Sequence, residues 1–395
     1  MYKRIIVPLA LLALVALILS ACAPAAAPTP APQPTSAPQP TSAPPPTSAP
    51  QPTSGAPSGG ALKIGVISDV GGIGDKSFND AAVKGLTDAK AQLGLDPAST
   101  FLQSKQQTDY AKNIQEFVSQ GFNGIITVGF LMGVDTAAGA KANPNVKFAI
   151  VDYGYPDCFG NAVVGKDCGT KDPIPNAEGL TFKTEEAAFQ AGYLAAAMSK
   201  SKKVGTFGGL NIPPVDDFMI GFEAGIKYWN QKHNDKVELL GWSSAKNDGT
   251  FAGSFNDADK GKQITESLIE EGADIVLPVA GQTGLGTFTA AKEKGILAIG
   301  VDVDQCISVP DACPVILTSI EKHISVAVFD AIKAMQDGTF KGGTNYVGTL
   351  ANDGVGIAPF HEQDSKVPAD VKAELDQIKA DIIAGKIDIR AMAKQ

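Results

Sequence analysis

The sequence predicts an α/β protein of two lobes, each a doubly wound parallel sheet, with a cleft between them. Three observations carry this. From residue 62 onward, short apolar runs alternate with stretches of helical period, the rhythm of parallel strands connected by helices. That rhythm breaks between residues 155 and 177 and restarts at residue 203. The two halves also repeat one another. Residues 115–128 align with 266–279, and 148–152 with 298–302, so Asp152 and Asp302 end equivalent strands.

Taken in order, the chain opens with Lys3 and Arg4, an apolar run over 5–19, and then Leu19-Ser20-Ala21-Cys22. This charge, apolar core and small-residue exit define a signal peptide over 1–21. The run is shorter than the roughly 20 residues of a membrane-spanning helix. A cysteine directly after Leu-Ser-Ala resembles the bacterial lipobox, which implies cleavage before Cys22 and lipidation there. Residues 24–60 are Pro, Thr, Ser, Ala, Gln and Gly only, with a repeat that begins at Pro34, Pro40 and Pro46. Such a segment has nothing to bury and cannot form a core. Extended as polyproline II, at about 3.1 Å per residue, it reaches on the order of 100 Å. Residues 22–60 are thus expected to be a lipid-anchored tether on the extracytoplasmic face of a cell membrane.

In the first half, strands are expected at 62–67, 100–103, 124–128 and 147–151, with helices at 81–93, 109–120 and 132–142. The stretch 155–177 carries Pro156, Pro173, Pro175, Cys158 and Cys168 and reads as a long surface loop. An Ala-rich helix over 185–199 leads into the second half. Its strands are 203–207, 237–242, 274–279 and 297–301, and its helices 217–232, 257–271 and 284–294. Beyond residue 318 the helices 324–335 and 369–384 have no place in a two-half scheme and are expected to cross back between lobes. The division is 61–180 plus about 320–348 for the first lobe, and about 181–319 plus about 349–395 for the second.

With a net charge of −9 and no basic block, the chain offers no surface for nucleic acid. Apart from Cys22 there are four cysteines. In an exported chain an even set reads as disulfides, and the two short separations favour Cys158–Cys168 and Cys306–Cys313. Neither pair has zinc-site spacing, and His233, His323 and His361 stand apart in the sequence, so neither a metal nor a cofactor is expected.

The stretch 74–80, Gly-Asp-Lys-Ser-Phe-Asn-Asp, lies where a first strand turns into a helix. Ser77 and Asp80 have the spacing of a capping box. An aromatic ring, an amide and a carboxylate therefore sit at the carboxyl end of a strand, where open α/β sheets bind ligands. A second Ser-Phe-Asn-Asp begins at Ser254, at a different helix, and is taken as a capping echo.

These residues, together with Asp217-Phe218, Gly221 to Gly225, Ser254 to Asp257, Ala280 to Gly284, Gly300 to Gln305, Thr318-Ser319 and Lys322, run in the order found in the basic membrane protein family of lipoproteins, and the sequence resembles that family. The resemblance implies a type I periplasmic-binding-protein fold that closes over a purine nucleoside and delivers it, as a monomer, to the permease subunits of an ABC transporter. It implies that Phe78 and Phe218 stack on the base, that Asn79 and Asp152 bond to opposite base edges, and that Asp302 and Lys322 bond to the ribose. Gly281 would admit the backbone close to the sugar, and Asp75 would contact ligand or brace its loop. The loop after Tyr153 departs from the family pattern.

Two rivals remain at this point. The same fold takes sugars and other small polar metabolites, using aromatic rings with Asp, Asn and Lys. A nucleoside-cleaving enzyme would need further carboxylates beside Asp302-Val303-Asp304, and none is nearby in sequence. Gly281 to Gly286 lacks the Gly-Lys-Ser/Thr of a phosphate loop, and no nucleophile–histidine set is evident, so an enzyme is not expected.

Overall fold

The computed structural model describes residues 61–155 and 172–395. The expected signal peptide, Cys22, the tether and the pair Cys158 and Cys168 lie outside the described residues. The first sheet contains β1 (Ile64–Ser68), β2 (Thr100–Gln103), β3 (Gly124–Val128), β4 (Lys147–Val151) and β5 (Ala177–Phe182). The second contains β6 (Lys203–Gly208), β7 (Glu238–Leu240), β10 (Ile275–Val279), β11 (Leu297–Asp302) and β12 (Ile316–Lys322); β8 (Trp242–Ser243) and β9 (Asp248–Gly249) form a separate small ribbon. Late in the chain, β13 (Asn345–Gly348) joins the first sheet beside β5, and β14 (Val355–Ile357) joins the second beside β12.

The strand orders are β2-β1-β3-β4-β5-β13 and β7-β6-β10-β11-β12-β14, so the internal repeat of the sequence is a repeat of topology. The first sheet is parallel throughout; the second is parallel apart from the antiparallel edge strand β14. The central strands β1, β3 and β10 are buried along their whole length, as apolar runs between two helical layers must be. This is the type I periplasmic-binding fold.

Four strands of the two main sheets were not legible from sequence: β5, β12 and the late edge strands β13 and β14. β5 follows directly on Pro173 and Pro175, so it reads as the end of a loop. β12 is buried but carries Thr318, Ser319, Glu321 and Lys322, which hide its apolar period. The expected strand 237–242 is broken by Gly241, whose φ of 85° ends β7 before β8 begins.

The chain passes between the sheets three times: after β5 at Lys183, after β12 at His323, and between β13 and β14. The crossings are bonded to one another, Lys183 N donating to Gly348 O at 2.8 Å and His323 N to Gly354 O at 2.9 Å. After the second crossing, the helix Ile324–Asp337 lies against the helix Phe78–Leu93 of the first sheet. Within the second lobe, two major helices make very close contact. A Cβ at Gly192 of the helix Thr184–Met198 would fall 2.1 Å from Phe222 O, and one at Gly225 of the helix Pro213–His233 would fall 2.0 Å from Phe189 O. Small residues let these helices touch backbone to backbone, which fixes the helix that carries Phe218.

Candidate functional site

The site is assembled from strand ends. Beyond β1 the chain forms a knot held by two buried carboxylates. Asp69 Oδ1 accepts from Gly71 N at 2.8 Å and from Asn79 Nδ2 at 3.0 Å, while Asn79 Oδ1 accepts from Asp69 N at 3.2 Å. Asp75 accepts from Ser77 N, Asp80 N, Asn79 N and Asn79 Nδ2, at 2.8–3.2 Å. Asp75 is therefore the side chain that caps the helix Phe78–Leu93. The capping box expected of Ser77 does not form: its hydroxyl is buried without a hydrogen-bond partner. The carboxylate of Asp80 instead accepts from Gly74 N and Lys76 N. Burial raises Asp69 to about 6 and Asp75 to about 7, although in each case the N–H donors pull the other way.

Across the cleft, Lys322 ends β12 and is 3 % exposed. Its Nζ lies 2.6 Å from Asp152 Oδ2 and 3.1 Å from Asp302 Oδ1. The ammonium also sits 4.7 Å from the centre of the Phe78 ring and 5.1 Å from that of Phe218, within reach of cation–π attraction. Burial works against a charge on Lys322, but the two carboxylates outweigh it and hold the pKa above the ordinary lysine value. One positive and two negative side chains thus meet beside two aromatic faces.

These groups line one cavity of about 60 Å³, well short of the roughly 300 Å³ at which small-molecule sites begin, so a ligand has to part the lobes to enter. Phe78, Asn79, Asp75, Asp152, Phe218, Gly281, Asp302 and Lys322 all border it, so the structure brings the whole expected set together. Gly281 has a φ of 54° and supports the left-handed turn after β10. Asn79 is placed as expected, but its amide hydrogens are taken by Asp69 and Asp75.

Three lining residues with polar or aromatic side chains were missed from sequence. Asp69 follows β1 as Asp152 follows β4, and the recurrence of Asp at strand ends was the signal for it. Phe130 follows β3 and carried no such mark. Phe255 belongs to the second Ser-Phe-Asn-Asp, which is more than an echo: Phe255 lines the cavity, and Asn256 Nδ2 donates across the cleft to Val70 O at 3.4 Å. Asp217, within the matched motif, turns away from the cavity and pairs with Arg390 at 2.6 Å. Cys306 and Cys313 are joined in a disulfide on the second lobe. Among the described residues no helix is long and apolar enough to cross a membrane.

Two lobes joined by three crossings, with convergent aromatic and charged groups in the cleft, define the class of the solute-binding proteins. The family model for PnrA-like ABC transporter substrate-binding proteins matches residues 61–392. The chain belongs to that family. It is 31 % identical over 332 residues to basic membrane protein A1 of Borrelia garinii subsp. bavariensis, covering 82 % of this chain and 87 % of the relative. It is 31 % identical over 345 residues to the ABC transporter nucleoside-binding protein BmpA of Lactococcus lactis subsp. cremoris, covering 83 % and 89 %. Among solved structures, an ABC transporter solute-binding protein from Aeropyrum pernix K1 superposes with a TM-score of 0.71 at 27 % identity, over 83 % of this chain and 92 % of that one.

Proposed function

We propose that this protein captures a purine nucleoside in the cleft and delivers it to the permease subunits of an ABC importer, held at the membrane by a lipid on Cys22. The observation that carries the reading is the pair of phenyl rings, Phe78 and Phe218, on opposite lobes of a cavity whose ionisable lining is Asp69, Asp75, Asp152, Asp302 and Lys322. Aromatic rings of this kind stack on free bases. A relative named as a nucleoside-binding protein supports the same ligand class.

In this reading the base lies between the rings, and Asp152 accepts from the N–H groups of its Watson–Crick edge. Asp302 and Lys322 face the ribose. The opposite edge, with N7 and the 6-substituent, meets Asp69, oriented by Asn79. A carboxyl with a pKa near 6 donates when protonated and accepts when ionised. The protein binds and releases its ligand unchanged.

The test is to denature the purified protein, identify released small molecules by mass spectrometry, and follow thermal shifts with guanosine, inosine, adenosine, glucose and ribose. Release of a nucleoside and a raised Tm with nucleosides alone are expected. A shift with sugars and none with nucleosides rejects the ligand class; free base accumulating from added nucleoside rejects a binding role.

A further inference from the structure

Resting on the cleft as the ligand site, we infer that Gln305 and Ser308 are positioning residues that latch the second lobe onto the Lys76 carbonyl of the first and hold the cleft closed. Neither is among the cavity-lining residues. Ser308 Oγ donates to Lys76 O at 2.7 Å, and Gln305 Nε2 donates to the same oxygen at 3.3 Å. Two donors from one short segment thus converge on a single acceptor across the cleft.

Both partners are rigid. Lys76 has a φ of 58° and lies inside the knot built by Asp75 and Asp80, so its carbonyl cannot reorient without disturbing Phe78 and Asn79. Gln305 is 2 % exposed and fully engaged: its Oε1 accepts from Val301 N at 2.8 Å, and its backbone N donates to Ser319 Oγ at 3.0 Å. Ser308 lies within the loop closed by Cys306–Cys313, and Asp304, just before it, is bonded to His361 at 2.6 Å. Gln305 therefore spans from the strand end that carries Asp302 to the loop that carries Phe78. When the latch forms, the ring of one lobe and the carboxylate of the other are set at a fixed spacing. The latch stabilises the closed form with or without ligand, so its loss favours opening and release.

The experiment compares wild type with Ser308→Ala, Gln305→Glu and the double variant. Nucleoside dissociation, followed by stopped flow, is expected to accelerate by about two- to tenfold for each single variant, the value of one lost hydrogen bond. Gln305→Glu keeps the acceptor for Val301 N and replaces only the donor, so its defect has a pH signature. The introduced buried carboxyl donates to Lys76 O when protonated, so the defect shrinks at pH 5 relative to pH 8, while that of Ser308→Ala does not. A ligand-independent readout uses spin labels at Lys84→Cys and Lys260→Cys on opposite lobes. The double variant is expected to show a larger fraction of long interlobe distances than wild type. Dissociation rates within twofold of wild type together with unchanged distance distributions overturn the latch. Failure of wild type to bind nucleoside, with the distance shift still present, rejects the ligand reading and leaves the latch standing.

Discussion

Asp152 and Asp302 leave equivalent strands of the two sheets with the same left-handed backbone, φ 58° and 68°, and converge on one ammonium, that of Lys322. The internal repeat of the chain thereby becomes a pair of carboxylates facing each other across the cleft. Neither residue is glycine, and each pays for its backbone conformation by directing its side chain at the shared cation.

Replacing that cation tests the relationship. Lys322→Met leaves two buried carboxylates without a partner and should cost about 3–5 kcal/mol of stability at pH 8. Burial raises the pKa of Asp152 and Lys322 holds it down; without the ammonium it rises further, so the lost stability returns as the pH falls and Asp152 takes up a proton. Denaturant midpoints at pH 5 and pH 8 measure this; an equal loss at both values would mean the carboxylates do not depend on Lys322.

Phe218→Ala and Asp152→Ala should weaken nucleoside binding differently. The first removes a stacking face worth about 1–3 kcal/mol and should affect all purine nucleosides alike. The second removes a charge-assisted acceptor worth about 1.5–3 kcal/mol. That loss should fall hardest on guanosine, with two N–H donors at the edge, then inosine with one, and least on adenosine. Calorimetric titration of the three ligands gives the ordering, and equal losses with Asp152→Ala would place the base the other way round.

Asp69 should make binding sensitive to pH near 6, in opposite senses for different purines. Guanosine and inosine present acceptors to its edge and need the protonated carboxyl, so their affinity should fall as pH rises through about 6, by up to about tenfold per unit. Adenosine presents an amino group and should bind better as the carboxyl ionises. Asp69→Asn, which keeps a donor at every pH, should flatten the guanosine profile. Titrations from pH 5 to 8 decide, and parallel profiles for guanosine and adenosine would remove Asp69 from the base edge.

For the cysteines, peptide mapping without reduction should recover Cys306–Cys313 and Cys158–Cys168. Replacing Cys306 and Cys313 by serine together should lower stability by about 2–3 kcal/mol, the loop-closure value for a ring of this size, with the separation of seven residues. A cross-pair such as Cys158–Cys306, or free thiols, would contradict the pairing.

Much of this was legible in sequence because strand ends and repeats leave marks: an apolar run, then a glycine or an acid. Asp152, Asp302 and the loop around Phe78 were found that way. What stayed hidden depended on partners distant in sequence. Ser77 reads as a cap, but Asp75 captures the helix N-terminus because its carboxylate is buried among four N–H donors. Asn79 reads as a ligand donor until Asp69 takes its amide. Phe255 reads as a local turn residue, since nothing nearby in sequence tells that it lines the cleft. Gln305 is an ordinary amide in sequence; its three bonds reach residues 4, 14 and 229 positions away.

The bonded crossings at Lys183–Gly348 and His323–Gly354 have a mechanical consequence. A single connecting strand is soft to bending and to torsion alike. Three strands lying side by side and tied through their backbones resist torsion and shear, and leave bending about one line as the compliant motion. Connections pinned in this way favour a swing of the lobes about one line, which would bring Phe78 and Phe218 back to the same register on either side of the cleft.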